Sequence, residues 1–205
     1  MKKYLLIFSF CFINCWTYNT YKFSEITIHP VCLGLEEKKK VVLVVNYDIY
    51  RNGELGKYAN LFSKMHNSNF FKEIKELIED TGYFVVIGSD PSTKDYDFKI
   101  EARYYENAEG GYREVNFFGF SQTRASTKVG GTRSVNIRIE DEEGKEIIHS
   151  EKYDKYGLIN PILFNLAFLI ELPPAIARER INIANMKKAA VYEVVTELKN
   201  KNLVP

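Results

Sequence analysis

Phe98 to Tyr105 alternates without a fault: Phe98, Ile100, Ala102 and Tyr104 take one phase, and Lys99, Glu101, Arg103 and Tyr105 the other. Successive side chains of a strand point to opposite faces, so this period of two predicts a strand with one covered face and one wet face. Val135, Ile137 and Ile139 repeat the pattern between Asn136, Arg138 and Glu140. Glu143-Gly144 then turns the chain into Glu146 to Tyr153, which reads as a hairpin. A sheet that is apolar on one face must bury that face against another layer, and this constrains everything else in the chain.

Helical spacing supplies the second layer. Phe70, Phe71, Ile74, Leu77 and Ile78 recur at three and four, with Lys72, Glu73, Lys75, Glu76 and Glu79 opposite. Ser68 or Asn69 is the expected N-cap and Gly82 the expected stop. A second helix is expected from Ala175 to Asn200. Its stripe is Ile176, Ile183, Ala184, Ala190, Val191, Val194, Val195 and Leu198. Val41 to Val45 is a continuous β-branched run, the pattern of a strand covered on both faces, and Tyr83 to Ile87 is another buried strand. Asn52-Gly53 and Gly56 mark a turn. Gly110-Gly111 separates a strand at Val115 to Phe120, and Gly130-Gly131 reads as a further break. The expected fold class is α+β, a two-layer sandwich of a mainly antiparallel sheet on two main helices.

The N-terminus carries a different signal. Lys2 and Lys3 precede an apolar run from Tyr4 to Ile13. That is the length of an export-signal core and too short for a bilayer span, which takes about 20 apolar residues. The run ends at Phe12-Ile13-Asn14-Cys15, which resembles a bacterial lipobox of the relaxed spirochaete kind. The resemblance implies cleavage before Cys15 and lipidation of that residue, so that lipid chains hold the protein at a membrane. Residues 1–14 then form a signal peptide, 15–35 a lipidated N-terminus and tether with a short strand at Ile26 to Ile28, and 36–205 a single α+β domain. Of the three cysteines, only Cys32 would remain free, which leaves no disulfide partner. Flanked by Val31 and Leu33, Cys32 reads as a small buried apolar group.

Lys plus Arg number 28 and Asp plus Glu 27. So even a balance argues against a dedicated nucleic-acid binder. Loss of Lys2 and Lys3 would take the formal charge from +1 to −1. The 14 Tyr and 14 Phe crowd the export segment, the stretch up to Phe23 and the region from Tyr104 to Phe120.

No residues in the sequence form a recognisable catalytic or metal motif. His29, His66 and His149 lack ligand spacing, and His66 and His149 read as surface residues. Asp95, Asp97 and the run Glu140 to Glu143 read as solvated turns. Arg103, Arg113, Arg124, Lys128, Arg133 and Arg138 read as charge on the outer face of the sheet, with a groove for an anionic polymer as the alternative. Neither an enzyme activity nor a cofactor is implied. Leu158 to Ile176 is apolar but interrupted by Pro161, Asn165, Glu171, Pro173 and Pro174. It is either packed on the sheet or an element that meets a membrane or partner. Ile162, Leu163, Phe164, Phe168, Leu169, Phe117 and Phe118 are the candidate contacts for the second case.

The run Val41 to Val45, the sequence Thr81-Gly82-Tyr83-Phe84 and the hairpin Val135 to Lys145 together resemble the small α/β modules of envelope-assembly lipoproteins. These include the curli-secretion-channel and penicillin-binding-protein-activator groups. The resemblance implies a non-enzymatic module in the bacterial envelope, outer-membrane anchored, facing periplasm or cell surface, that binds another envelope protein. A membrane- or lipid-binding protein using 158–176 and 112–120 is the alternative.

Overall fold

The computed structural model describes residues 16–19, 23–27, 29–51, 53–55, 59–90, 92, 95–109, 112–117, 120–125, 128–159 and 166–205. Strands β1 (Trp16–Asn19), β2 (Lys39–Arg51), β3 (Glu54–Leu55), β4 (Phe84–Gly88), β5 (Phe98–Glu109), β8 (Lys128–Glu140) and β9 (Glu146–Ile159) form one seven-stranded sheet. Its order is β1-β9-β8-β5-β2-β3, with β4 also on β2. The pairs β2–β5 and β2–β4 are parallel, and the others are antiparallel. Strands β6 (Tyr112–Phe117) and β7 (Phe120–Ala125) form a separate hairpin between β5 and β8. Helices α1 (Ala59–Glu79) and α2 (Leu166–Asn200) pack on one face. The expected α+β sandwich is therefore the fold.

The alternation of β5 survives in three dimensions. Phe98, Ile100, Ala102 and Tyr104 are buried, and the last three face buried residues of β8: Ile139 opposite Ile100, Ile137 opposite Ala102, Val135 opposite Tyr104. On α1, Phe70, Ile74 and Ile78 are buried, while Phe71 and Leu77 pack at the margin. On α2 the buried stripe is Met186, Ala190, Val191, Val194, Val195 and Leu198. Each fully buried Ile, Leu or Phe side chain contributes about 1.5–3 kcal/mol by leaving water. Val41, Val42 and Leu43 are all wholly buried, so this part of β2 is covered on both faces.

Several boundaries differ from those expected. Helix α1 begins at Ala59, so Ser68 and Asn69 lie exposed inside it rather than at its cap. The turn carrying His66 is held by tertiary packing: its ring stacks on Tyr47 at 5.2 Å and 13°. His66 is thus half-buried in a helix, not a loop residue, whereas His149 is exposed as expected. Helix α2 begins at Leu166, nine residues before Ala175, and continues through Pro173 and Pro174. Proline inside a helix costs about 3 kcal/mol, which weakens the helix without forbidding it. Ala184 is exposed and Met186 takes its place in the stripe.

Gly130 and Gly131 are not a break. Both lie within β8, paired to β5 and β9. A Cβ on Gly131 would meet Asn107 O at 2.3 Å, and one on Gly130 would meet Tyr156 O at 2.7 Å. Glycine is there because neighbouring backbones approach closely. Cys32 is exposed rather than buried. Val31 and Leu33 pack on the core, so the residue between them in an extended segment points out.

The stretch before β2 is fastened to the domain. Phe23 N–H donates to Asn182 Oδ1 and Asn185 Nδ2 to Phe23 O, both at 3.0 Å. Val31 N–H donates to Thr81 O at 3.1 Å. That last contact fixes Gly82, whose φ is 83° and where a Cβ would lie 2.0 Å from Val31 O. Gly82→Ala is expected to destabilise the fold by about 2–3 kcal/mol in urea unfolding. Gly53→Ala shares a positive φ (80°) but meets nothing within 4 Å, so its expected cost is only about 1 kcal/mol.

Candidate functional site

The sheet face beneath the helices changes character along its length. One row reads Leu43, Ile100, Ile139, Ile148, and the row two steps on reads Val45, Ala102, Ile137, Ser150. Tyr47, Tyr104, Val135 and Lys152 follow, and then Ile49, Glu106, Arg133 and Asp154. Strict alternation thus carries the core phase from aliphatic to ionic side chains on the same face.

Arg133 is 2% exposed and Asp154 fully buried. Arg133 Nη2 donates to Asp154 Oδ2 at 2.7 Å, and Asn182 Nδ2 donates to the same oxygen at 3.0 Å. Glu179 Oε2 lies 2.6 Å from Arg133 Nη2 but off the hydrogen-bond direction, so this contact is an ion pair without a directed bond. Arg133 also lies over the Tyr156 ring at 4.6 Å. Glu106 accepts from two phenols, Tyr104 at 2.7 Å and Tyr156 more closely. Burial works against the guanidinium charge, yet the interactions with Asp154 and Glu179 outweigh it and raise its pKa. The place of Arg133 on the inner face corrects its assignment to the outer one. Arg103 and Arg138 do lie outside, paired with Asp48, Glu140 and Glu146. The phase that Arg133 shares with Val135, Ile137 and Ile139 is the signal in the sequence that places it.

The Arg133–Asp154 pair is closed to solvent and acts by positioning. Asp154–Asn182, Lys152–Glu193 and Lys201–Ile147 O link β9 to α2 in opposite chain directions, so α2 lies antiparallel over β9. Between Asn182 and Leu166 the helix rises about 24 Å, against about 17 Å of strand from Asp154 to Ile159. The start of α2, seven residues after Ile159, is thereby directed toward the end of the sheet where β9 stops.

That end collects much else. Trp16, the residue after Cys15, pairs with Ile159, and Ile159 pairs with Lys128. The β6–β7 hairpin is rooted there too, between Glu109 and Lys128. Phe117 ends β6 opposite Phe120, and Phe168 and Leu169 lie in the first turn of α2. Cys15, Phe118, Ile162, Leu163 and Phe164 lie outside the described residues, as do Gly110 and Gly111. The structure brings the described candidates to one end of the fold by chain connection.

A second accessible feature lies toward the opposite edge of the sheet. Val44, Val45, Asn67, Ser68, Phe71 and Ser89 line an open cleft of about 360 Å³ between β2, α1 and the end of β4. Asn67 Oδ1 is buried there without a hydrogen-bond partner. Nothing in the sequence pattern marks Asn67, because the residues before Phe70 lack the apolar spacing of a helix.

Among the described residues no three His, Cys, Asp or Glu side chains are grouped to hold a metal, and no helix is long and apolar enough to cross a membrane.

No protein-family model matches the sequence, and neither does any curated protein. Among solved structures, the chain is similar to a neuraminyllactose-binding hemagglutinin homologue from Helicobacter pylori, at 13% identity and TM-score 0.41, over 78% of this chain and 92% of that one. It is also similar to lipoprotein B of Nitrosomonas europaea, at 15% identity and TM-score 0.31, over 80% of this chain and 88% of that one. A minor lipoprotein of Acinetobacter baumannii is similar at 14% identity and TM-score 0.31, over 82% of this chain and 96% of that one. The last two are bacterial lipoproteins.

Two outcomes test the ionic layer. Arg133→Met leaves Asp154 buried without its cation and is expected to cost about 3–5 kcal/mol, while Arg133→Met with Asp154→Leu recovers part of that loss in the same urea titration. The phenols give a pH signature. Burial, then the Glu106 and Glu73 charges, push Tyr47 up to about 12. Burial, then Glu106, raise Tyr104 and Tyr156 as well. An unfolded tyrosine ionises near 10, so this stabilisation is complete below pH 10 and is lost as pH rises toward 12. Tyr47→Phe is expected to flatten the decline in melting temperature over that window.

Proposed function

We propose that this chain is a non-enzymatic lipoprotein of the bacterial envelope, anchored through Cys15 and serving as a binding or assembly module for another envelope protein. The observation that supports it is the convergence at one end of the sheet. The residue after Cys15 is paired to the last residue of β9, beside the root of the β6–β7 hairpin, and α2 begins seven residues after that strand ends. A lipid on Cys15 would put this end against the bilayer. The membrane-contact reading draws on the same convergence: Phe117, Phe118, Ile162, Leu163, Phe164, Phe168 and Leu169 belong to segments that start or finish there. The two readings describe one orientation, with this end at the bilayer and the remainder of the domain turned to its partner. An outer-membrane location, facing periplasm or cell surface, is part of the proposal.

Three measurements test it. Metabolic labelling with radioactive palmitate is expected to mark the wild-type chain and not Cys15→Ser. Mass spectrometry should find diacylated Cys15 at the mature N-terminus; an unmodified Cys15 sinks the anchor. Liposome flotation of the Cys15→Ser protein lacking residues 2–14 separates the roles of lipid and apolar end. Weak flotation that disappears in Phe164→Asp supports direct contact by this end, whereas none at all leaves the lipid as the sole attachment.

A further inference from the structure

Strand β2 has one flank fully occupied and one flank interrupted. On one side β5 pairs with it from Val41 to Arg51. On the other side β4 pairs only from Lys39 to Val42, and β3 only at Tyr50 and Arg51. Among the described residues no strand covers Leu43 to Ile49 on that flank. The gap is seven residues long, about 23 Å at the usual strand rise.

The direction of its backbone groups follows from the neighbours. Lys39 N–H donates to Tyr83 O at 2.8 Å, on the β4 side, while Lys40 O accepts from Asp97 N–H at 2.8 Å, on the β5 side. N–H and C=O of one residue point the same way in a strand, and they alternate from residue to residue. The irregularity in the β2–β4 pair skips Ile87 on β4 and leaves the phase of β2 intact. Val45, Tyr47 and Ile49 therefore turn their amides toward the open flank, whereas Leu43, wholly buried beside the Val42–Gly88 pair, has its amide on β4. The cleft lies along the start of this flank, and all six residues lining it are uncharged. Asn67 Oδ1, buried there without a partner, is an acceptor in want of an N–H.

We propose that this gap is a docking groove for a short extended peptide, which adds as a strand beside β2 between β4 and β3. The inference rests on the binding-module reading and names its site and the chemistry of its partner. A row of strand-spaced donors and acceptors is met most completely by another peptide backbone. The β2 edge of a second copy does not fit. That strand spans 13 residues, and the flanks of a seven-residue gap are blocked by β3 and β4. The occupant is a free extended segment, a terminus or loop of the partner, of about seven residues or fewer by the strand rise. One apolar side chain enters the cleft over Val45 and Phe71, and a neighbouring N–H reaches Asn67. The absence of charge in the lining selects a neutral centre for that peptide. The cleft at Val45 lies about nine residue rows, or about 30 Å, from the Cys15 end, and the Ile49 end of the groove about five rows, or about 17 Å, both across the sheet from β1, so membrane attachment leaves the groove open.

The test uses the full-length lipidated protein in detergent micelles and random heptapeptides displayed on phage. Selected peptides, synthesised with a fluorophore, are titrated by polarisation. The expected selection alternates apolar residues, lacks central proline and carries no charge at its centre. Val45→Pro removes one N–H facing the flank without touching the β5 ladder, and Ser68→Trp fills the cleft from an exposed helical position. Each is expected to weaken binding by about tenfold, the scale of one or two lost hydrogen bonds or a blocked pocket, while Ile181→Ala on exposed α2 leaves it unchanged. Circular dichroism confirms that each variant is folded; should Val45→Pro unfold, Ser68→Trp decides alone. Selection of no peptide, or equal binding to wild type and Ser68→Trp, overturns the groove. Copurification from envelopes separates this from the broader reading. A partner held equally by wild type and Ser68→Trp removes the groove and keeps the module. Peptides that bind through the groove while no envelope protein copurifies keep the groove and remove the module.

Discussion

A carboxylate with no exposed surface is strongly unfavourable unless a cation and hydrogen bonds meet it, and Asp154 is such a group. Arg133 and Asn182 meet it, one from the adjacent strand and one from the helix above. The pair therefore ties β8, β9 and α2 in one place. Burial of ions rarely adds much net stability compared with apolar packing of the same volume, but it penalises every arrangement that separates the partners. What it contributes here is the setting of α2. The helix must cross β9 at the level where Asn182 reaches Asp154, and the aliphatic stripe from Met186 to Leu198 then falls over the aliphatic half of the sheet.

The position of the helix start follows from that crossing point. With α2 antiparallel to β9, its N-terminal residues are carried to the end of the sheet where β1 begins. The fold thus sets two features apart. One end gathers the residue after Cys15, the hairpin and the start of α2. The opposite flank carries an interrupted strand edge and a neutral cleft. Tyr47 lies between them. It stacks on Tyr104 at 4.4 Å and on His66 at 5.2 Å, with Lys187 over the rings of Phe70 and Tyr104. Part of the aromatic excess is explained by this packed belt between α1 and the sheet.

How much could be read in advance varies with the range of the interaction. The strand phase of Phe98 to Tyr105, the hairpin at Glu143-Gly144 and the face of Phe70, Ile74 and Ile78 are local patterns, and they appear in the structure as written. Gly130 and Gly131 read as a turn because glycine weakens strands locally, yet the carbonyls of Asn107 and Tyr156 require it there. The first turns of α1 lack apolar periodicity, and it is Tyr47, far away in sequence, that stabilises His66 in a helix. Cys32 reads as buried from its neighbours but is exposed, because those neighbours alternate inward and leave it out.

By itself the sequence determined the α+β layering, the inner and outer phases of each long strand, and the export-like segment ending at Cys15. Each follows from a period or a spacing that needs no knowledge of distant residues. Only tertiary structure decided that Arg133 faces a buried aspartate, that among the described residues no strand flanks β2 between β4 and β3 on the side away from β5, and that the residue after Cys15 pairs with the end of β9. Those are facts of register between strands far apart in the chain. Register is set by which faces must be buried together, not by any one stretch of residues.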